Sequence, residues 1–248
     1  RLVRFLTNAV PRILQEVDAV ITVSEAVRQD LLRLYRIAPN RLFAIPHGVS
    51  SLFTPIPLDE RRPVLASFGL RDPYIIAVGT IEPRKGYPVL IRALELAATQ
   101  LPELQLVIVG STGWLAEPIE AALSEAERRG RLKRFRRLGD RTLATLYSGA
   151  AAFVTASYYE GFNLPLLEAM ACAAPVIATD LPTHREVAKD AALFVPIDAP
   201  DELAEAILTV LTNSSLRERL SRAARERAQS FTWRQSAERH LEVYRQFA

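Results

Sequence analysis

Apolar residues recur along this chain in two rhythms. Short runs at 19–23, 42–45, 74–78, 105–110, 152–155, 175–179 and 193–195 are nearly continuous in Val, Ile, Leu, Phe and Ala. That is the composition of strands buried on both faces. Between them the spacing lengthens to three and four. Leu90, Ala93, Leu94, Ala97 and Leu101 predict a helix over 88–100, and Ala26, Val27, Leu31 and Leu34 predict one after Ser24, which can cap it with Glu25 favourably placed in the first turn. Further helices are predicted over 114–129, over 143–150 with Asp140 or Thr142 as cap, from Pro165 to about Ala173, over 201–212 and 214–230, and from a Thr232 cap to the end. Trp233, Ala237, Leu241 and Tyr244 form an apolar stripe on that last helix. Residues 1–17 read as a basic amphipathic stretch interrupted by Pro11. Strands alternating with helices of this length predict an α/β, Rossmann-like parallel sheet with helices on both faces, whose ligands bind beyond the carboxyl ends of the strands.

Residues 50–73 break the rhythm. Pro55, Pro57, Pro63 and Pro73 fall among few periodic apolar positions, so this segment is expected to be a linker. It separates residues 1–49 from a main domain over 74–230, and 231–248 follow as a terminal helix.

With 248 residues, 49% hydrophobic and 24% charged, the chain can bury a substantial core. No apolar run reaches the roughly 18 residues of a spanning helix and no signal peptide is evident, so a cytoplasmic address is expected. Cys172 is the only cysteine, which rules out an intrachain disulfide and a cysteine metal cluster. The chain opens at Arg1 with its only methionine at Met170, and is expected to be a fragment. The net charge is +3, yet residues 128–137 carry seven cations. A solvated face is the plain reading of that run; peripheral contact with an anionic membrane, at the inner face of the cell membrane, is the functional one. Nucleic acid is disfavoured, because only Phe135 interleaves the run.

Two stretches carry candidate chemistry. Glu160-Gly161-Phe162-Asn163-Leu164-Pro165-Leu166-Leu167-Glu168 brackets a turn and a helix start with two carboxylates. Pro165 suits the first helical position, and the helix N-terminus favours an anion. Upstream, the turn Gly79-Thr80-Ile81-Glu82-Pro83-Arg84-Lys85-Gly86 follows a buried strand. Arg84 offers a planar fork to phosphate oxygens and Lys85 a point charge, both expected to be exposed on the turn. Each stretch alone is compatible with a solvated surface turn. No Asp-x-Asp appears, and His47, His184 and His240 lack ligand spacing, which predicts metal-independent chemistry with no cofactor; His47 and His184 read as structural. No G-x-G-x-x-G turn or phosphate-binding GxxxxGK[ST] run follows a strand.

Together the two stretches resemble the nucleotide-sugar half of a retaining GT-B glycosyltransferase of family 4. The strand, Ser24-Glu25 helix, strand and Pro46-His47-Gly48-Val49 turn likewise resemble the end of that family's N-terminal domain, so the resemblance runs from about Ala19 onward. It implies the C-terminal half of a GT-B fold, with about 150 to 200 residues of acceptor domain upstream and the last helix returning to that domain. It implies that Arg84 and Lys85 grip the donor diphosphate, that Glu160 lies near the donor sugar, and that Glu168 holds the ribose. Gly79, Thr80, Phe162, Asn163 and Leu164 fall at donor-binding positions. The implied reaction is transfer of a mannose- or glucose-type hexose from GDP-mannose or a UDP-hexose to a glycan or lipid-linked acceptor. A non-catalytic nucleotide-sugar-binding module acting with a partner chain would need the same Arg84, Lys85 and Glu168. Asn163 and Ala173-Ala174-Pro175 stand where relatives commonly carry glycine and Gly-Thr-Pro. The short Leu138–Arg141 segment falls where relatives hold the base.

Overall fold

The computed structural model describes residues 2–247, with side chains from Phe5 onward. The chain divides into two compact units, Val49–Ser230 and a smaller one made of the residues up to Gly48 with those from Phe231 onward.

The smaller unit begins with α1 (Leu2–Glu16), which continues through Pro11. A parallel pair follows, β1 (Val20–Thr22) and β2 (Leu42–Ala44), in register Val20 to Leu42. Between them α2 (Glu25–Leu34) starts at an extended Ser24 whose Oγ accepts from Val27 N–H at 3.2 Å. Leu14, Ile37 and Leu42 form the small core.

The larger unit opens with α3 (Leu58–Ser67), inside the segment expected to be a linker. Its periodicity is weak and Pro63 sits within it, which hides it from the sequence. Tertiary packing makes it a helix: it lies on α6 (Asp140–Gly149), and Arg141 pairs with Glu60 at 2.8 Å. Six parallel strands follow: β3 (Tyr74–Val78), β4 (Gln105–Val109), β5 (Leu132–Phe135), β6 (Ala152–Thr155), β7 (Val176–Thr179) and β8 (Ala192–Val195). Their spatial order is β5-β4-β3-β6-β7-β8. On one face Ile75, Ala77, Leu106, Ile108, Val154 and Ile177 pack under α4 (Tyr87–Ala97), α5 (Glu117–Arg128) and α9 (Pro200–Thr212). The alternate residues Ile76, Val107, Phe153 and Val176 are equally buried. Tyr147 of α6 meets Phe153 edge-on at 6.0 Å, and α7 (Leu164–Ala171) packs on α6 and on α10 (Ser214–Ala228), so these helices cover the second face. The short α8 (Pro182–Ala188) links β7 to β8.

Two departures from the sequence pattern have local causes. α5 starts at Glu117 rather than Trp114, because Leu115 is left-handed at φ 50° and Pro118 belongs in a first turn. Trp114 therefore stays in the β4–α5 turn. Strand β5 runs inside the basic cluster, where only Leu132 and Phe135 signal a strand; it is an edge strand and can carry Lys133 and Arg134. Arg134 pairs with Glu120 and with Glu127 (2.7 Å), and Arg128 and Arg129 pair with Glu125. Much of that charge is thus balanced locally.

Helix α11 (Trp233–Gln246) belongs to the smaller unit. Thr232 Oγ1 caps it by accepting from Gln235 N–H at 3.1 Å, and Arg239 donates to Ala44 O at 2.7 Å. It buries Ser236 and Val243, and the Trp233, Leu241 and Tyr244 stripe is about half exposed.

Candidate functional site

Strands β3 and β6 are neighbours in space, with β4 and β5 on one side and β7 and β8 on the other. The connections leaving β3 and β6 diverge there, which opens a crevice at their carboxyl ends. Both candidate stretches lie in it, one after each strand.

After β3 the chain makes a single 3-10 turn, Pro83–Lys85, and enters α4 through Gly86. Gly86 has φ 64° and ψ 27°, and a Cβ on it would stand 2.0 Å from Ala156 O just past β6. Only glycine permits both the left-handed bend and that approach. The bend aims Arg84 and Lys85 at Glu160. Glu160 Oε1 accepts from Lys85 Nζ at 2.6 Å and from Ser157 Oγ at 2.7 Å, while Oε2 accepts from Arg84 at 2.8 Å. Arg84 also donates to Tyr159 O at 2.7 Å and to Glu82 Oε1 at 2.6 Å.

The expectation that both cations are exposed needs correcting. The Lys85 side chain is 13% exposed and that of Arg84 37%, because Glu160, only 6% exposed, draws both inward. Burial would raise the Glu160 carboxyl, but the Lys85 ammonium, Ser157 and Arg84 outweigh it and hold it below the ordinary glutamate range. Burial works against charge on Arg84 too, and Glu160 and Glu82 more than compensate. Two anions and two cations balance within a few ångströms.

Behind Glu160 lies a polar network in which only Asn163 and His184 are singled out by the sequence. Ser157 Oγ lies 3.2 Å from Thr155 Oγ1, Asn163 Nδ2 donates toward Thr155 Oγ1 at 3.4 Å, and Thr183 Oγ1 donates to Glu160 O at 2.8 Å. Asn163 Nδ2 also meets His184 Nε2 at 2.9 Å, and His184 Nδ1 lies 2.8 Å from Thr179 O. The second contact requires the proton on Nδ1, so Nε2 accepts; burial lowers the His184 pKa and keeps the ring neutral. Asn163, left-handed at φ 71°, caps α7 through Oδ1. Its side chain and that of Phe162 are buried and shape the turn from within. Helix α7 begins at half-buried Leu164, which moves Pro165 to the second position. Thr80 is exposed on the β3 turn, and Tyr87 Oη donates to Gly79 O at 2.7 Å. The missed residues had one readable signal: Ser157 lies three residues before Glu160, and Glu82 two before Arg84.

Glu168 stands apart from this cluster. Its Oε2 accepts from Tyr147 Oη at 3.1 Å, and burial raises its carboxyl pKa, helped by Asp140 and opposed by the tyrosine bond. The residue after the α7 cap, Ala173, is left-handed at φ 60°. A cavity of about 460 Å³ opens at the amino-terminal end of the strands, beside Pro73, Ala151 and Pro175. Its Arg61 and Arg217 donate to the carbonyls of Ile56 and Leu211.

The cation pair thus converges on a buried carboxylate at the switch point of a Rossmann-like parallel sheet. Residues 65–227 match the family described as Glycosyl transferases group 1, and the chain belongs to it; residues 1–51 match Glycosyltransferase Family 4. The chain is 29% identical over 245 residues to O-antigen chain mannosyltransferase B of Escherichia coli, covering 98% of this chain and 64% of that protein. It is 33% identical over 246 residues to alpha-maltose-1-phosphate synthase of Mycolicibacterium smegmatis, covering 92% and 63%. The structure superposes on sucrose-phosphate synthase of Thermosynechococcus elongatus with a TM-score of 0.82 and 31% identity, over 96% of this chain and 60% of that one. The fold is shared with Anabaena HepE, whose structure holds UDP and glucose: TM-score 0.84, 19% identity, over 97% of this chain and 66% of that one. The chain thus spans under two thirds of the length of these relatives. Among the described residues, no helix is long and apolar enough to cross a membrane.

Proposed function

We propose that the chain is the donor-binding part of a retaining hexosyltransferase that takes a mannose- or glucose-type sugar from GDP-mannose or a UDP-hexose to a glycan or lipid-linked acceptor. The observation that carries this reading is the convergence of Arg84 and Lys85 on Glu160 at the β3/β6 crevice. Breaking the anomeric C–O bond leaves its electron pair on a phosphate oxygen, and preorganised cations there stabilise the transition state. Arg84 and Lys85 supply them in this reading, which makes the proposed reaction metal-independent. An incoming diphosphate competes with Glu160 for both cations, and the displaced carboxylate then faces the positive charge that develops on the sugar. Glu168, with a carboxylate short of partners, is suited to the two ribose hydroxyls.

Calorimetry with GDP, UDP and pyrophosphate tests the reading. Arg84→Ala is expected to weaken the preferred nucleoside diphosphate by about ten- to a hundredfold, the size of one or two charge-assisted hydrogen bonds. Unchanged affinity would overturn the assignment.

A further inference from the structure

Trp114 has no part in the reading above, yet it is built into the same crevice. Its side chain is 60% exposed, and Nε1–H donates to Glu82 Oε2 at 2.9 Å. The other oxygen of Glu82 accepts from Arg84, so one buried carboxylate joins an exposed indole to a cation of the anion site. The backbone ties the two turns together as well. Ile81 N–H donates to Ser111 O and Gly113 N–H donates to Ile81 O, each at 2.9 Å. The next residue, Leu115, is 63% exposed and held at φ 50°, a conformation unfavourable for leucine that no burial offsets.

The topology says which part of a ligand would meet this ring. Glu168 and its partner Tyr147 belong to α7 and α6, on one face of the sheet. Trp114 leads into α5, which packs on the opposite face with α4 and α9. Arg84, Lys85 and Glu160 lie between, at the ends of β3 and β6. A nucleotide sugar with its ribose at Glu168 and its diphosphate at Arg84 and Lys85 therefore extends its hexose toward Trp114.

We propose that Trp114 is a specificity-determining residue whose indole packs against the apolar C–H face of the donor hexose, held in place by Glu82. This rests on the nucleotide-sugar reading above. The test compares ligands that differ only at the sugar: GDP-mannose with GDP, and UDP-glucose with UDP. Trp114→Ala is expected to lower affinity for the preferred nucleotide sugar by about tenfold and leave the matching nucleoside diphosphate within about twofold, while Trp114→Phe, which keeps a ring, retains most of the sugar affinity. With Trp233→Phe, Trp114 becomes the sole tryptophan, and its fluorescence should respond to the nucleotide sugar more than to the diphosphate. Equal loss for both ligands, or no loss, would overturn the sugar contact while leaving the nucleotide site intact. Absence of any nucleotide binding by the unsubstituted chain would overturn the nucleotide reading, and this proposal with it.

Discussion

The two glutamates that bracket the signature turn are eight positions apart and electrostatically opposite. Glu160 is nearly buried yet accepts from Lys85, Arg84 and Ser157, so its charge is held firmly. Glu168 is less buried and accepts from a neutral tyrosine hydroxyl rather than from cations, so burial leaves its charge disfavoured. Burial alone therefore does not set the protonation of a carboxyl; the number and charge of its donors do. The contrast fits the roles proposed for the two residues. A carboxylate saturated by cations can release them to a stronger anion, whereas one short of donors is prepared for neutral hydroxyls.

Removing a cation should break the contrast most strongly. Lys85→Ala leaves a buried carboxylate with Arg84 as its remaining cation beside the Ser157 hydroxyl, and is expected to destabilise the chain by about 3 kcal/mol in urea unfolding, as for one partner of a buried pair. Adding Glu160→Gln should recover much of that loss, and no recovery would mean that Lys85 matters for packing rather than charge. The pH dependence comes next. A carboxyl held below its ordinary value contributes stability above the unfolded pKa and loses it as pH falls through the folded one, so Glu160 should steepen acid unfolding below about pH 4.3. Glu160→Gln should flatten that limb of the Tm against pH curve. Glu168 has the reverse sign: its raised pKa costs stability at neutral pH, and the cost fades as pH falls. Glu168→Gln should therefore raise Tm at pH 7 with a gain that shrinks toward pH 4, while weakening a nucleoside diphosphate and sparing pyrophosphate. The smallest effect separates charge from backbone strain in α7. Ala173→Gly should stabilise by about 0.5 kcal/mol, because glycine accepts the left-handed geometry but gains unfolded-state entropy. Its effect should add to that of Glu168→Gln.

Most of the sheet was legible in the sequence because parallel strands buried on both faces read as unbroken apolar runs. β5 was not, since an edge strand needs only Leu132 and Phe135 to be apolar. α3 was hidden for another reason: its docking on α6 comes from residues distant in the chain. In the candidate site, Arg84, Lys85 and Glu160 stood out as charges beside turn residues. Their mutual pairing did not, because it depends on the β3 and β6 ends being adjacent, a fact of strand order. The same holds for the Asn163–His184 contact, between the cap of α7 after β6 and helix α8 after β7, which the pairing of those two strands brings together.

An open sheet has two unpaired margins, and this one guards each differently. At β8, the Arg185 guanidinium lies 4.1 Å over the Phe194 ring, capping the apolar side of the last strand. At β5, Lys133 and Arg134 stand where an intruding strand would have to dock. Desolvating two cations makes that addition unfavourable. The basic cluster thus acts as a gatekeeper against fibril-like growth, and neutralising Lys133 and Arg134 should expose the β5 margin as a template for aggregation while leaving the β3/β6 crevice untouched.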